Sequence, residues 1–368
     1  MHHVGLLLLL VACANGGPTG AMSADAHDPD GRDDPTGDGG VDGPPAQPVT
    51  CGGSVCVVGQ TCNAGTCTFG CAGASVPGDY ATLQTAIDAL AAVGQDATIC
   101  IGSATLSESQ IFIRDQANHG KTLQIIGESI DRSTINAEVY VQSGWNRVTL
   151  KGVHVSVASN RTAMRSQLGS GAKLTVVASK LSGQTGLDIS QPQEVLVDGT
   201  EFVTTGGYGV SVFVTFGQAT TRIENSYFRG TGYSLRASTS GGTIGMQFVG
   251  NTVVGPAVGV DLQGSTTALI ANSLFTGTTS FAMQWTNTTT VTRNNNALWN
   301  NATNYGGLAS DGPNYLKLDC MLDMAPRIPT LRAGSPCRDA GDPAVASTHD
   351  FHGAARGTPP DLGAVEAP

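Results

Sequence analysis

Asp198 and Glu224 are the residues of this chain best spaced for chemistry. Each stands one position after the centre of the same short apolar motif, VLVD in one copy and TRIE in the other. Motif copies that stack as adjacent strands lie ~4.8 Å apart. That would set the two carboxyls ~5 Å from each other, near the separation of the acid and the nucleophile in a retaining glycosidase. Glu201 and Arg222 belong to the same flank and complete the patch. A solvated charged face uses the same residue types, since two like charges partly offset by one arginine need no catalytic purpose, and this plainer reading is the stronger one. Asp188 and Asp261 fall three repeats apart, ~14 Å at strand spacing, too far for paired acid–base work. His119 and His154 stand alone, His349 and His352 lie near the end, and no G-x-S-x-G, H-E-x-x-H or phosphate-cradling glycine loop occurs. Tyr208, Tyr227, Tyr233, Trp285 and Trp299 offer surfaces on which a sugar could stack, although at least half are expected to pack inside or at corners.

A repeat positions these side chains. Between Leu123 and Trp299 one pattern returns eight times, centred on Ile125, Leu150, Val176, Val197, Ile223, Phe248, Ile270 and Arg293, at steps of 25, 26, 21, 26, 25, 22 and 23 residues. Periods of this length mark a solenoid, because each unit buries its apolar face only by stacking on its neighbours. Apolar residues alternate with polar ones around each centre, as in a strand with one face turned inward. Two positions on comes a small residue or Asn: Gly127, Gly152, Ala178, Gly199, Asn225, Gly250, Asn272 and Asn295. Gly and Asn tolerate the left-handed backbone of a sharp corner, and stacked Asn side chains can hydrogen-bond along the stack. Five positions after the centre every copy is apolar: Ile130, Val155, Leu181, Phe202, Phe228, Val253, Phe275 and Leu298. A second short strand follows ten to thirteen residues on, as in GLDIS, GVSVF, YSLRA, GVDLQ and AMQWT. Strand, corner, strand and looser return predict an all-β fold, a right-handed parallel β-helix of about 8–10 coils. An antiparallel sandwich would not require the corner and both apolar positions to recur together.

Composition agrees. Charged residues make up 13% of the chain, about half the usual share, and 49 of the 368 residues are Gly, which suits many tight corners. The net charge of −10 argues against nucleic acid as a partner. Residues 1–13 read as a signal peptide whose apolar run from Val4 to Ala12 is too short to span a bilayer. Leu10-Val11-Ala12-Cys13 resembles the bacterial lipobox, which implies lipidation of Cys13 and a membrane as partner through that lipid, with an outer-membrane or cell-surface address. The first segment carries His2 and His3 but no Lys or Arg, a departure from the lipoprotein pattern. Residues 14–50, rich in Gly, Pro and Asp, are expected to form a disordered acidic tether.

Residues 51–74 hold Cys51, Cys56, Cys62, Cys67 and Cys71 at spacings of 5, 6, 5 and 4, with no CxxC pair and no nearby His. That argues for a small disulfide module in an oxidising, extracytoplasmic compartment rather than for zinc. Cys100 brings the set to six without revealing who pairs with whom, and Cys320 and Cys337 can pair near the end. Leu83, Ala86, Ile87, Leu90 and Val93 have helical spacing, with Asp79 or Thr82 able to start the helix.

YATLQTAIDAL followed by DATICIG resembles the N-terminal capping helix and first coil of the pectin-lyase-like superfamily, although the usual Gly-x-Tyr after that strand is replaced by Ala104-Thr105-Leu106. SPCRDAGDP, DFHGAARG and PPDLGAVE are similar to a C-terminal signature of secreted bacterial β-helix proteins, matched at Ser335, Pro336, Asp339, Ala340, Gly341, Asp342, Asp350, Gly353, Arg356, Pro360, Asp361, Gly363, Ala364 and Glu366. The resemblance covers residues 75–368, with the β-helix at 75–310 and a C-terminal capping segment at 311–368. It implies architecture, and with it a polysaccharide as possible partner, because many members of the superfamily cleave polysaccharides. The acid-pair and Gly-His-Gly motifs of polygalacturonases are absent, as is the basic ladder of a calcium-dependent lyase. No cofactor is implied. Asp339, Asp342, Asp350 and Asp361 could gather around calcium, but salt bridges with Arg356 and turn hydrogen bonds are the expected use. The leading expectation is a lipid-anchored, non-enzymatic, glycan-interacting module, and the alternative is a polysaccharide lyase or glycosidase using Asp198 and Glu224.

Overall fold

The alternating repeat forms parallel strands stacked coil on coil, in a solenoid of about nine turns. The computed structural model describes residues 49–367 except 52–53, 57–59, 64–65, 192 and 287–288, with side chains from residue 69 onward. A first row contains ten strands, from Ala74–Val76 and Ala97–Ile101 through Glu194–Asp198 and Gln218–Glu224 to Thr290–Asn294. Its register aligns Ile125, Leu150, Val176, Val197, Ile223, Phe248, Ile270 and Arg293 in one line, so the irregular steps between motif copies are the lengths of the individual coils.

Each repeat coil carries three strands, not two. After the corner comes a second row of short strands such as Lys180–Gly183, Glu201–Thr204 and Tyr227–Gly230, and then a third row including Thr185–Ile189, Tyr208–Val214 and Tyr233–Thr239. The two rows merge in the long strands Ala104–Ile113 and Ser133–Val141. Second-row strands of three or four residues complete barely one alternation, so their period is invisible beside that of the flanking strands. The first copy also departs from the pattern. Ile135, rather than Ile130, pairs with Val155, because residues 128–132 form an extra loop before the second row begins.

Seven of the eight corner residues adopt left-handed φ between 46° and 67°, Gly127 being the exception. The polar ladder runs one residue later than the corner. Thr200 N donates to Ser226 Oγ, Ser226 N to Asn251 Oδ1, Asn251 N to Ser273 Oγ and Ser273 N to Asn296 Oδ1. Asn251 and Asn296 each return a bond to a carbonyl of the preceding coil, so the buried amides and carbonyls of the turn are satisfied. Inside, Phe202, Phe228, Phe248 and Phe275 stack with centroids 4.7, 5.6 and 5.9 Å apart and fill the middle coils. Arg293 occupies the apolar slot of the last copy, where no further coil covers it. Its guanidinium lies over Trp285 and bonds to Ser310 and Asp311.

Helix α1 spans Leu83–Val93, starts at Thr82 with reciprocal Thr82–Thr85 bonds, and ends at Gly94 in left-handed conformation. Leu83, Ala86, Ile87 and Ala91 are buried in the core, and Val93 is exposed. Cys71 is bonded to Cys100 and Cys320 to Cys337. Cys13, the tether and the partners of Cys51, Cys56, Cys62 and Cys67 lie outside the described residues and side chains. The Cys71–Cys100 bond closes 29 residues, which by chain entropy stabilises by ~3.5 kcal/mol. The Cys71→Ser/Cys100→Ser double variant is expected to lose that amount in urea melts. A loss under ~1 kcal/mol would show that the loop is equally constrained without the bond.

The segment from residue 311 leaves the repeat. It forms one antiparallel pair, Leu322–Asp323 with Thr330–Leu331, and lies along the corners between the first and second rows. Ile328, Phe351, Ala364 and Val365 pack with Tyr227, while Cys320, Leu331, Cys337 and Leu362 pack with Leu274 and Ala297.

Candidate functional site

The register makes Asp198 and Glu224 cross-strand partners on adjacent coils. Both point away from the coil interior, yet Asp198 is 3% and Glu224 6% exposed, because the C-terminal segment lies over them. Asp198 Oδ1 accepts from Asn225 Nδ2 at 2.9 Å, and Oδ2 is 2.8 Å from His349 Nε2, a contact across 151 residues. Glu224 Oε2 accepts from Arg222 Nε at 3.0 Å and from its terminal nitrogen at 2.7 Å. Burial raises the Glu224 carboxyl above the usual range, Arg222 opposing and the Asp198 charge adding. Burial acts to lower His349, but the hydrogen bond and charge of Asp198, together with the Glu224 charge, outweigh it and raise the imidazole, Arg356 opposing.

Glu201 belongs to a different cluster. It stands on the second row, fully buried, facing Lys180 at 3.7 Å, Arg229 at 3.1 Å and Arg327, whose Nε donates to it at 2.7 Å. Arg327 also binds Asp131. Burial and the nearby Lys180 and Arg327 charges push His154 down to about 4, Glu201 and Asp131 opposing. The four residues of the predicted patch therefore divide into an Asp198–Glu224–Arg222 group and a Glu201 group, and residues of the C-terminal segment complete both. Glu224 and Glu201 each have a cationic partner and Asp198 has His349, and the pair faces protein rather than an open groove.

The corner asparagines explain why that segment sits there. Asn225 Oδ1 accepts from Ser347 Oγ and from Arg356, Asn272 exchanges two bonds with the backbone of Asp342, and Asn295 donates to Ala340 O. Of the tail aspartates, Asp342 accepts from Ala344 N and Asn294, Asp350 from the amides of 352, 354 and 366, and Asp361 from those of 339 and 367. The bonds to 344, 352 and 354 are the expected turn bonds, those from Asn294, 339 and 366 are long-range, and the ion pair of Arg356 is with Glu366 rather than with any of the aspartates. The one signal in the sequence was that three of the later corners carry Asn where Gly would serve.

The third row has an outer face that the C-terminal segment leaves uncovered. In register along it stand Tyr140, Arg165, Asp188, Ser211, Arg236, Asp261 and Gln284, all part-exposed except the buried Asp261. That register places Asp188 and Asp261 three coils apart as the spacing predicts. Phe112 stacks on Tyr140 at 5.2 Å, and Arg165 lies over the Tyr140 ring. Arg236 lies over both Tyr208 and Tyr233, donates to the Tyr208 hydroxyl at 3.0 Å and pairs with Asp261. Of the other aromatics singled out, Tyr227 and Trp285 are buried, while Trp299 is exposed beside Leu322 and Met324. No protein-family model matches this chain, and comparison with curated proteins finds no match.

Proposed function

We propose that this chain is a non-enzymatic, extracytoplasmic glycan-binding rod, held to a membrane by lipid on Cys13 and using the outer face of its third row. The coil is read as right-handed, of the pectin-lyase-like kind, with α1 as its N-terminal cap. What carries the reading is the burial of the acid pair: both carboxylates that could have done glycosidase chemistry are covered, Asp198 bonded to His349 of the C-terminal segment and Glu224 to Arg222 of its own strand. The third row, in contrast, presents half-buried rings fixed under guanidinium groups, beside carboxylate and amide acceptors. The outer ring edges give a sugar apolar contact while Arg, Asp188 and Gln284 reach hydroxyls, and rings already held in place lose little entropy on binding.

The test is glycan-array retention of the soluble chain, compared with release of reducing ends or unsaturated products over neutral and acidic polysaccharides, with and without calcium. Retention without turnover is expected, weakened about tenfold or more in Arg236→Ala, which removes the charge and the support of two rings. Turnover that vanishes in Glu224→Gln would overturn the reading and establish the acid pair as catalytic. Absence of both retention and turnover would also overturn it.

A further inference from the structure

The third-row face ends, at its N-terminal side, in a cleft of about 520 Å³. A β-bulge makes it. On the strand Ala104–Ile113, Ser107 pairs with Asn136 and Gln110 with Glu138, so Glu108 and Ser109 together oppose the single residue Ala137. The extra residue leaves local backbone groups out of the ladder and turns the strand aside, a device common beside binding sites. Asn136, Glu138, Ser109, Ser156 and Arg161 bring polar groups to the cleft, and Ala137, Val157 and Ala158 give it an apolar floor.

Glu138 is the distinctive residue. It is 7% exposed, and its Oε2 accepts from Tyr140 and Arg161 at 3.3 Å each, two long bonds for a buried carboxylate. The other wall carboxylate, Glu108, is already committed, since its oxygens accept from Leu83 N and Gln84 N at the start of α1. Tyr140 joins the two regions: its hydroxyl reaches Glu138, and its ring is the stacked, Arg165-covered one that begins the third-row face.

We propose that this cleft seats the terminal unit of the glycan, recognising a pair of vicinal hydroxyls through Glu138, Arg161 and Asn136. A carboxylate oxygen and a guanidinium held side by side accept from one hydroxyl and donate to its neighbour, and the alanine and valine floor meets a sugar ring's C–H face. The volume falls in the range of small-ligand pockets and admits one sugar unit with its water. The inference rests on glycan binding by the third-row face and gives that binding a direction, with the chain end at the bulge and the following units along Tyr140, Arg165 and beyond.

Saturation-transfer NMR on the full chain tests it. The probes are the methyl glycosides of glucose, mannose and galactose, their deoxy counterparts lacking one of the two hydroxyls, and the oligosaccharides retained on the array. At least one methyl glycoside is expected to bind, its deoxy counterpart about tenfold more weakly, a loss in line with one charge-assisted hydrogen bond. Glu138→Gln should lose binding by a similar factor. So should Asn136→Ala, whose site is exposed and whose fold is therefore safe. Arg236→Ala should leave monoglycoside binding intact while weakening the oligosaccharides. Retention of oligosaccharides with no monoglycoside binding, or binding indifferent to both cleft variants, would overturn the terminal pocket and leave the face standing. Loss of both would overturn the two together.

Discussion

Glu201→Gln is expected to cost ~3 kcal/mol in denaturant melts and to release the C-terminal segment around Ile328 to fast hydrogen exchange. The carboxylate is fully buried and surrounded by Lys180, Arg229 and Arg327. Removing one charge from a buried cluster leaves its partners desolvated and uncompensated, which typically costs 3–5 kcal/mol. The lower end applies here because Arg229 and Arg327 are about half and one-third exposed and can turn to water. Arg327→Met should cost less, since Lys180 and Arg229 still neutralise the carboxylate. Because a solenoid's stability is a sum of coil and interface contributions, the damage should stay local. Exchange should quicken in the second row and in the segment over it, while α1 and the first coils stay protected. Equal costs for the two variants, or protection unchanged around Ile328, would show that the cluster does not hold the segment.

The part of this architecture legible in the sequence is the part governed by local backbone physics. Left-handed corners favour Gly or Asn, inward positions need Val, Ile, Leu or Phe, and both recur at the coil length, so the sequence alone aligns Val197 with Ile223. Ile130 misled because an apolar residue five positions on is not proof of register when a loop intervenes. The second-row strands escaped notice because they are shorter than the pattern needed to reveal them. The burial of Asp198 was beyond reach for a different reason. His349 lies 151 residues away in a segment with no repeat, and nothing in the period of the coils says which face a non-repeating segment will cover. The arithmetic that paired Asp198 with Glu224 held in the register, while the assumption that outward means solvent-exposed did not.

The two histidines predict a stability maximum near neutral pH, with opposite signs on its two sides. His349 is raised above its usual value, so the folded chain holds its proton more tightly than the unfolded chain does. Stability from this group is fully present below the unfolded pKa of about 6.5 and is lost as pH rises through the higher folded value. The charged groups facing it are Asp198 and Glu224 on the first row and Arg356 on its own segment. His154 is lowered to about 4, so between about 4 and 6.5 the unfolded chain binds the extra proton and stability rises with pH. Its neighbours are Lys180 and Glu201 on the second row, Asp131 in the loop before it, and Arg327 from the C-terminal segment. Glu224, raised by burial, works against His154 over the acid limb, where the folded chain keeps the carboxyl protonated above the usual 4.5. On the alkaline side Lys180, lowered by burial, adds a rise between its folded value and the unfolded pKa of 10.5. The measurement is melting temperature from pH 4 to pH 9 for the parent chain, His349→Gln and His154→Gln. His349→Gln should flatten the fall above about 6.5 and leave the acid limb, whereas His154→Gln should remove the acid rise and leave the fall. An alkaline fall that survives in His349→Gln would mean that the Asp198–His349 contact does not couple the C-terminal segment to the coils.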